Sequence, residues 1–314
     1  MQNIAKWTPD NLPDLSGKTI LVTGGNSGIG YEAAQQLARK GAHVVLGCRD
    51  MEKARAAIAS ITGEYRQASL DALPLDLASL ESIRSFAAAF LARHNALDIL
   101  CNNAGVMALP YRKTADGFEM QLGTNHLGHF ALTGRLLETL LATRGARVVN
   151  VSSGAHRFGS IRFDDLQWER GYRKWAAYGQ SKLANLLFTY ELQRRLGAAG
   201  ANVISVACHP GYAATNLQAA GPRMAGSTWM ESLSEFGNRV AAQSAAMGAL
   251  PTLYAATSAD VHGGDYIGPD GLGELWGHPK KVQSNSRSRD TAVAAKLWEV
   301  SEQLTGVSYA ALAR

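Results

Sequence analysis

Short runs of apolar, β-branched residues alternate with longer helical stretches along most of this chain. The runs are apolar nearly throughout, as are strands of a parallel sheet that helices cover on both faces. The predicted strands are 18–25, 42–49, 73–77, 97–103, 146–153, 201–208 and 264–268. The predicted helices are 28–41, 50–62, 79–94, 117–143, 175–197, 241–257 and 290–304. This order predicts βαβ units with right-handed crossovers.

The alternation predicts a doubly wound α/β fold of the Rossmann type, with a mostly parallel seven-stranded sheet and helices on both faces. We expect a single domain over 18–270, preceded by an N-terminal extension (1–17) and followed by a helical extension (271–314). Two segments fit the alternation poorly. They are 155–174, which we interpret as an insertion, and 209–240.

Composition restricts the class of ligand. The 314 residues are 46% hydrophobic and carry a formal charge of +5, with basic residues scattered among 26 acidic ones. The longest basic cluster, "GHPKK", is too short to predict nucleic-acid binding. A mildly basic chain of this kind is compatible with an anionic small ligand.

The cysteines and the distribution of apolar residues indicate where in the cell the protein is expected. Cys48, Cys101 and Cys208 are far apart and lie in or beside apolar runs, so we expect buried, reduced thiols and a cytoplasmic protein. The polar start does not resemble a signal peptide. No run of 18 apolar residues occurs, so we predict no membrane span.

The stretch "TGGNSGIG" (23–30) lies between the first strand and the first helix, where a dinucleotide-binding turn is expected. Gly24 permits a tight turn, Gly28 lets the backbone approach a pyrophosphate, and Gly30 allows close packing of helix on strand. Ordinary turn glycines are the alternative, but the position in the chain favours a nicotinamide cofactor.

The end of the second strand indicates which cofactor is bound. An acidic residue there would accept a hydrogen bond from the 2′-hydroxyl of NAD, whereas this chain has Arg49. A guanidinium can hold a 2′-phosphate. Asp50 follows, but it begins a helix and is explained as an N-cap. The sequence therefore predicts NADP(H).

"YGQSK" sets Tyr178 four residues before Lys182 in a predicted helix, so the two side chains share a face. An exposed pair on an amphipathic helix is the alternative for the spacing taken alone. A phenol has a pKa near 10, and a nearby ammonium would lower it toward neutrality. The pair is thus a candidate proton carrier.

Seven motifs in order give the chain its resemblance to the short-chain dehydrogenase/reductase family. They are "TGGNSGIG", Asp76-Leu77, "NNAG" (102–105), Asn125 in "TNHLGHF", Ser153 in "VNVSSG", "YGQSK" and "HPGYAAT" (209–215). The phrases "NHLGHF", "VSSGAH", "AYGQSKLANLLF" and "SEQLTGV" resemble a branch similar to retinol dehydrogenases, which many bacterial oxidoreductases share. The membrane-anchored members of that branch have an N-terminal apolar segment that this sequence does not show.

The resemblance implies roles for individual residues. Tyr178 would be the general acid/base, Lys182 would lower its pKa and bind the nicotinamide ribose, and Ser153 rather than Ser152 would hold the substrate oxygen. Asn125 would interrupt its helix and hold a water that links Lys182 to solvent. The predicted cofactor-binding residues are Gly24, Asn26, Ser27, Gly28, Ile29, Gly30, Arg49, Asp76, Leu77, Asn103, Ala104, Gly105, Tyr178, Lys182, Pro210, Gly211 and Thr215.

The prediction of the substrate rests on apolar residues that follow the strand ends. Segment 209–240 follows the sixth strand and lies where the family has a substrate lid. Its large apolar residues are Tyr212, Leu217, Met224, Trp229, Met230 and Phe236, and its glycines at 211, 221, 226 and 237 could act as hinges. Met107, Tyr111 and Phe158 could form an opposite wall. Core packing is an equal alternative for the aromatic and methionine residues of the lid segment. A lipophilic aldehyde, ketone or alcohol is predicted.

Several alternatives stay open. The chain could reduce a carbon–carbon double bond, or it could be a catalytically silent NADP-binding regulator, although Asn125, Ser153, Tyr178 and Lys182 are all present. His126 and His129 have the spacing of a metal-binding pair, but no third ligand accompanies them, so no metal is predicted. A homo-oligomer is left open, and no nucleic-acid partner is expected.

Overall fold

A mostly parallel sheet of eight strands runs through residues 6–212 and 243–312, the residues that this computed structural model describes. The strands are β1 Thr19–Thr23, β2 His43–Cys48, β3 Ser69–Pro74, β4 Ile99–Asn102, β5 Ala146–Val151, β6 Val203–Cys208, β7 Tyr266–Pro269 and β8 Pro279–Val282. Their spatial order is β3-β2-β1-β4-β5-β6-β7-β8. The order reverses between β1 and β4, which is where open α/β folds bind their ligands.

Helices cover both faces of the sheet. Their bounds are α1 Gly28–Arg39, α2 Met51–Glu64, α3 Leu80–Leu91, α4 Met120–Leu122, α5 Gly128–Arg135, α6 Leu137–Ala142, α7 Lys174–Ala198, α8 Ala245–Thr257 and α9 Thr291–Thr305. One core cluster joins α1, α2 and α8 to the sheet, and a second joins α3, α5, α6 and α7 to the other face. The predicted doubly wound fold is confirmed.

The structure corrects two details of the predicted sheet. The third strand comes earlier than predicted, at Ser69–Pro74 rather than 73–77. An eighth strand, Pro279–Val282, pairs antiparallel with β7 inside the segment predicted to be a helical extension with one helix. The helix predicted at 290–304 is present as α9.

The single helix predicted over 117–143 is divided into shorter pieces. A π turn over Gly123–Leu127 separates α4 from α5, and Asn125 lies within it. Buried Glu119 caps α4 by accepting hydrogen bonds from the N–H groups of Gln121 and Leu122. The expected interruption at Asn125 is therefore present as a local change of helix type, which is frequent at functional sites.

The insertion 155–174 is an ordered loop on α7. Gln180 holds it by donating to the carbonyl oxygen of Leu166 and accepting from the N–H of Arg162. A Cβ at Gly159 would lie 2.3 Å from the carbonyl oxygen of Gly179, so this loop approaches the helix backbone closely. The insertion therefore leads directly into the helix that carries Tyr178 and Lys182.

The three cysteines are free and buried, as expected. Within the described ranges, no helix combines the length and apolarity that crossing a bilayer requires.

Candidate active site

The glycine-rich turn joins β1 to α1 at the carboxyl edge of the sheet. Gly24 has a positive φ of 66°, and Gly28 one of 54°. A Cβ at Gly30 would lie 2.5 Å from both Asn103 Nδ2 and the Gly24 carbonyl oxygen. Because α1 starts at Gly28, its free N–H groups and partial positive charge lie at this turn. The turn fits a pyrophosphate.

Arg49 follows β2 and is exposed beside that turn. The N–H of Gly24 donates to the Gly47 carbonyl oxygen at 2.8 Å, which places the ends of β1 and β2 side by side. Asp50 caps α2 by accepting from the N–H of Lys53 at 3.0 Å. The hydrogen bonds from Lys53 lower the pKa of Asp50. The carboxylate is thus used as the predicted cap, and the guanidinium remains accessible to an anion.

The other predicted cofactor residues with described positions lie at the same edge. Asp76 and Leu77 follow β3, and Asp76 accepts from the N–H of Ala78. Asn103 and Ala104 follow β4, and both donate their N–H groups to the Thr23 hydroxyl at 2.9 Å. Their proximity to the glycine turn fits the assigned role.

Gly105 and the turn after β6 extend the same edge of the sheet. A Cβ on Gly105 would lie 3.6 Å from Lys182 Nζ. Pro210 and Gly211 follow β6, and the Pro210 carbonyl oxygen accepts from the side chain of Gln243. The strand ends therefore bring these predicted cofactor residues toward α7.

Tyr178 and Lys182 lie on α7 against the end of β5. Tyr178 is 6% exposed, and its hydroxyl forms a hydrogen bond with the Ser153 side chain. Lys182 Nζ lies 5.8 Å from the centre of the Tyr178 ring and donates to the Val151 carbonyl oxygen at 3.1 Å. Ser152 instead donates to the Lys182 carbonyl oxygen at 2.8 Å. Ser153, as chosen from the sequence, is the serine beside the phenol.

Burial acts against the expected fall in the pKa of Tyr178 in the protein without cofactor. Burial raises the pKa of Tyr178 to about 12, and the hydrogen bond with Ser153 opposes this only in part. Burial also lowers the pKa of Lys182 to about 8. The sequence prediction let desolvation subtract only part of the effect of the ammonium, whereas both groups are buried.

Asn125 is held by three hydrogen bonds in the π turn. Its Oδ1 accepts from the N–H of Val106 at 2.8 Å, and its Nδ2 donates to the Val106 carbonyl oxygen and to Ser181 Oγ. Ser181 Oγ in turn donates to the Tyr178 carbonyl oxygen at 2.8 Å. The amide therefore joins the loop after β4 to the helix that carries Tyr178.

Trp175 and Phe158 form an exposed aromatic rim along the part of α7 that carries Tyr178. The Trp175 ring lies 6.3 Å from the Tyr178 ring at 79°, and it is 52% exposed. Phe158 is also exposed and lies against Gly179, where a Cβ would be 2.8 Å from its ring. Tyr111 packs edge-on against Tyr172. Sequence reasoning proposed Phe158 and Tyr111 but missed Trp175. Trp175 lies one helical turn before Tyr178 and Gly179 on α7, and this spacing could have identified it.

Some predictions fall on residues outside the described ranges. These include Thr215 and most of the proposed lid, with Leu217, Met224, Trp229, Met230 and Phe236. Tyr212 and Gln243, which flank this gap, are joined by a backbone hydrogen bond of 2.9 Å.

His126 and His129 are both buried and each is engaged by hydrogen bonds. His126 Nε2 lies 2.9 Å from Ser301 Oγ, and His129 contacts Thr23 and Asn125. Over residues 6–212 and 243–312, no three His, Cys, Asp or Glu side chains are grouped as metal ligands.

Comparison with known sequences matches residues 18–225 to the family described as short chain dehydrogenase. Retinol dehydrogenase 13 of Homo sapiens is 45% identical over 297 residues, which cover 93% of this chain and 86% of that protein.

Comparison with solved structures gives the same fold. An uncharacterised protein from Mycobacterium paratuberculosis is 43% identical with a TM-score of 0.79, covering 97% of this chain and 99% of that one. A Beutenbergia cavernae protein crystallised with bound NADP is 28% identical with a TM-score of 0.59, covering 78% and 92% respectively.

Proposed function

The chain belongs to the short-chain dehydrogenase family and is an oxidoreductase that acts on CH–OH groups, and we propose that it uses NADP(H) to interconvert a lipophilic alcohol with its aldehyde or ketone. The observation that carries the proposal is the buried Tyr178, hydrogen-bonded to Ser153 and lying beside Lys182 at the edge where the glycine turn ends. A catalytically silent regulator would have no need of this arrangement.

Each residue of the site has its own role in the reaction. In alcohol oxidation, Ser153 holds the substrate hydroxyl while the Tyr178 oxygen takes its proton. When bound, the nicotinamide accepts the hydride, and in reduction it supplies one. When protonated, Lys182 would favour the ionised phenol, and it would hold the ribose hydroxyls of a bound cofactor. The protonated phenol returns the proton to the carbonyl oxygen in the reverse reaction.

The Arg49 guanidinium supports NADP(H) over NAD(H). It is exposed at the end of β2, where the adenosine ribose of a cofactor in this turn would lie. Asp50, the neighbouring acid, is committed to the cap of α2 and to an ion pair with Lys53 at 2.9 Å. A 2′-phosphate would therefore meet a cation rather than an uncompensated carboxylate. The NADP in the Beutenbergia cavernae neighbour is consistent with this.

The aromatic rim supports a lipophilic substrate. Phe158 and Trp175 are both more than half exposed. The Trp175 ring lies beside the Tyr178 ring, and Phe158 lies against the next residue, Gly179. Apolar surface of this kind gains about 25 cal/mol for each Å² that a ligand covers, so bulky hydrocarbon groups bind better than small polar ones. The name of the human relative, a retinol dehydrogenase, points in the same direction.

Turnover of NADPH with a panel of aldehydes, ketones and enones tests the function. Tyr178→Phe should reduce the rate by about 100-fold or more while NADPH still binds, because only the proton carrier is lost. Tyr190→Phe, on the same helix but hydrogen-bonded to Ser284, is the matched control. A Tyr178→Phe enzyme that keeps more than about a tenth of the activity would refute the assignment.

The same panel separates the two enzyme hypotheses. An enone reduced at its carbonyl gives an allylic alcohol, whereas reduction of the double bond gives a saturated ketone. We expect the allylic alcohol. Catalytic efficiency should rise along a series of aldehydes of increasing chain length. A sugar converted better than any lipophilic carbonyl would contradict the substrate class.

Three further expectations concern location, partners and assembly. A cytoplasmic location and the absence of a nucleic-acid partner rest on cysteine usage and charge distribution. Sedimentation of the purified protein would establish whether it forms a homo-oligomer.

A further inference from the structure

His129 is a buried histidine that the proposed mechanism does not use. It lies on α5, one turn after Asn125, and is 2% exposed. Its Nδ1 is 3.0 Å from the Asn125 carbonyl oxygen, and its Nε2 is 2.9 Å from Thr23 Oγ1. The imidazole thus stands between the π turn and the last residue of β1.

The contacts determine which ring nitrogen carries the proton. A carbonyl oxygen only accepts hydrogen bonds, so Nδ1 of His129 must be the donor. Burial lowers the pKa of His129 to about 4, so the ring is neutral near pH 7 and Nε2 has a lone pair. The Thr23 hydroxyl then donates to Nε2 at 2.9 Å, the shorter of its two possible donor contacts, since the Cys101 carbonyl oxygen is 3.3 Å away.

Thr23 continues the connection to the cofactor turn. Its hydroxyl oxygen accepts the N–H groups of Asn103 and Ala104, each at 2.9 Å. Its carbonyl oxygen accepts from Asn103 Nδ2 at 2.9 Å. The Thr23 hydroxyl is therefore donor to His129 and acceptor for the loop after β4, and the glycine turn begins at the next residue.

The other end of the connection is the catalytic helix. The Asn125 side chain holds Val106 and Ser181, and Ser181 holds the backbone of Tyr178. A continuous series of buried hydrogen bonds consequently runs from the end of β1 through His129 to α7. The neighbouring His126 does not take part, since its Nε2 faces Ser301 on α9.

We propose that His129 is a positioning residue that, as a neutral imidazole protonated on Nδ1, holds the Asn125 carbonyl in place and couples the π turn to the cofactor-binding end of β1. We call this connection, from Thr23 through His129 to Asn125, the bridge. The expected effect of the bridge on kcat rests on the proposed function, whereas the bridge itself does not. A metal-ligand role conflicts with this geometry because both ring nitrogens already have partners.

The first test measures the tautomer in the full-length protein. With ¹⁵N-labelled histidine, NMR should show His129 protonated on Nδ1 only, at both pH 6 and pH 9. Thr23→Val should change the Nε2 resonance because it removes the donor, and Thr23→Ser should restore it. A ring protonated on Nε2, or an Nε2 resonance insensitive to Thr23→Val, would overturn the proposal.

The second test replaces the His129 side chain and measures turnover. His129→Asn keeps an N–H donor near the Nδ1 position, whereas His129→Leu keeps none. We expect His129→Leu to lower kcat on the order of 10- to 100-fold with KM for the carbonyl substrate nearly unchanged, as small misplacements of catalytic groups do. His129→Asn should recover a large part of that loss. Equal rates for His129→Leu and the unsubstituted enzyme would refute the proposal.

NADPH binding distinguishes a failure of this inference from a failure of the proposed function. Thr23→Val should weaken NADPH binding by about tenfold in a fluorescence titration, as expected for one buried hydrogen bond, and Thr23→Ser should not. If no carbonyl is converted but this difference and the tautomer are observed, the bridge stands and the proposed reaction fails. Unchanged affinity in Thr23→Val counts against the bridge.

Discussion

Lys182 illustrates at the scale of one residue how a functional group can oppose folding. Its side chain is 3% exposed, and burial lowers its pKa to about 8 from an ordinary value of 10.5. This difference in pKa corresponds to about 3 kcal/mol. At a pH low enough for the amine to be charged in both the folded and the unfolded protein, the free energy of unfolding is lower by that amount. The hydrogen bond to Val151 returns about 1 kcal/mol of this.

Lys182→Met should therefore stabilise the cofactor-free protein at pH 7 by about 2 kcal/mol, while activity is lost. Asn185 still donates to the Val151 carbonyl oxygen at 3.1 Å, so no buried acceptor is left without a partner. Thermal melts of both proteins measure the difference. Lys174→Met, at an exposed position of the same helix, is the control.

The pH dependence of that difference tests its cause. Between pH 8 and 10.5 the unfolded lysine keeps its proton while the folded one releases it, so the unsubstituted protein gains stability as pH rises. The advantage of Lys182→Met should shrink over this window. An advantage that does not change with pH would attribute the effect to packing instead.

How much of this site could be predicted from sequence depends on the range of the interaction. Spacing along one helix was enough to place Tyr178 and Lys182 on a common face. The raised pKa of Tyr178 and the bridge through His129 arise from burial and from contacts between distant segments, such as Thr23 with His129. No local pattern in the sequence contains that information.

Two glycines provide a test at the scale of single elements. A Cβ at Gly30, in the first turn of α1, would meet Asn103 and the Gly24 backbone at 2.5 Å. Gly30→Ala should therefore cost about 1–3 kcal/mol of stability through overpacking and weaken NADPH binding.

Gly63, in α2, has nothing within 4 Å of its Cβ position. Gly63→Ala should stabilise the protein by about 0.5–1 kcal/mol. Denaturant unfolding measures the stability of both variants, and titration measures their affinity for NADPH. Equal stabilities and affinities in the two variants would contradict the prediction.

The C-terminal helix packs on the helices that carry the site. The buried Trp298 of α9 lies 5.2 Å from the Phe130 ring and 4.5 Å from the Tyr309 ring. The guanidinium carbon of Arg195, on α7, lies 4.4 Å from the centre of the Trp298 ring. This aromatic contact fastens α9 to α5 and α7.

Trp298→Ala should lower the free energy of unfolding by about 3–5 kcal/mol because it leaves a large cavity. Trp276→Ala, at a position 45% exposed in the turn between β7 and β8, should change it by less than about 1 kcal/mol. Urea denaturation of the two variants makes the comparison. Similar losses in both would show that α9 contributes little to stability.

Sequence patterns did not reveal β8, and they did not show the π form of the interruption expected at Asn125. β8 begins with Pro279 and exposes Lys280 and Lys281, so it has no apolar run and no alternation to recognise. The π turn at Gly123–Leu127 keeps the apolar periodicity of a helix and differs only in its hydrogen bonds. Buried parallel strands, by contrast, are specified by their own composition.

At the scale of the whole molecule, cofactor preference can be measured without a substrate. A ligand that binds only the folded state at about 100 times its Kd stabilises it by about 2.7 kcal/mol. NADPH should therefore raise Tm by a few degrees, and NADH at the same concentration should do much less.

Arg49→Ala should reduce the NADPH shift to about that of NADH, since a charge-assisted contact of about 2–3 kcal/mol is lost. Arg66→Ala, a change of equal charge away from the turn, provides the control. An unsubstituted protein that NADH stabilises more than NADPH would refute the assignment of Arg49.

The β7–β8 hairpin has a consequence for how molecules of this protein behave together in solution. β8 covers the backbone of β7, and its own outer side carries a proline without an N–H and two charged lysines. A chain shortened at residue 270 would expose the apolar Tyr266–Pro269 edge to its neighbours. Such a product should precipitate or form fibrils at concentrations at which the longer chain stays dispersed.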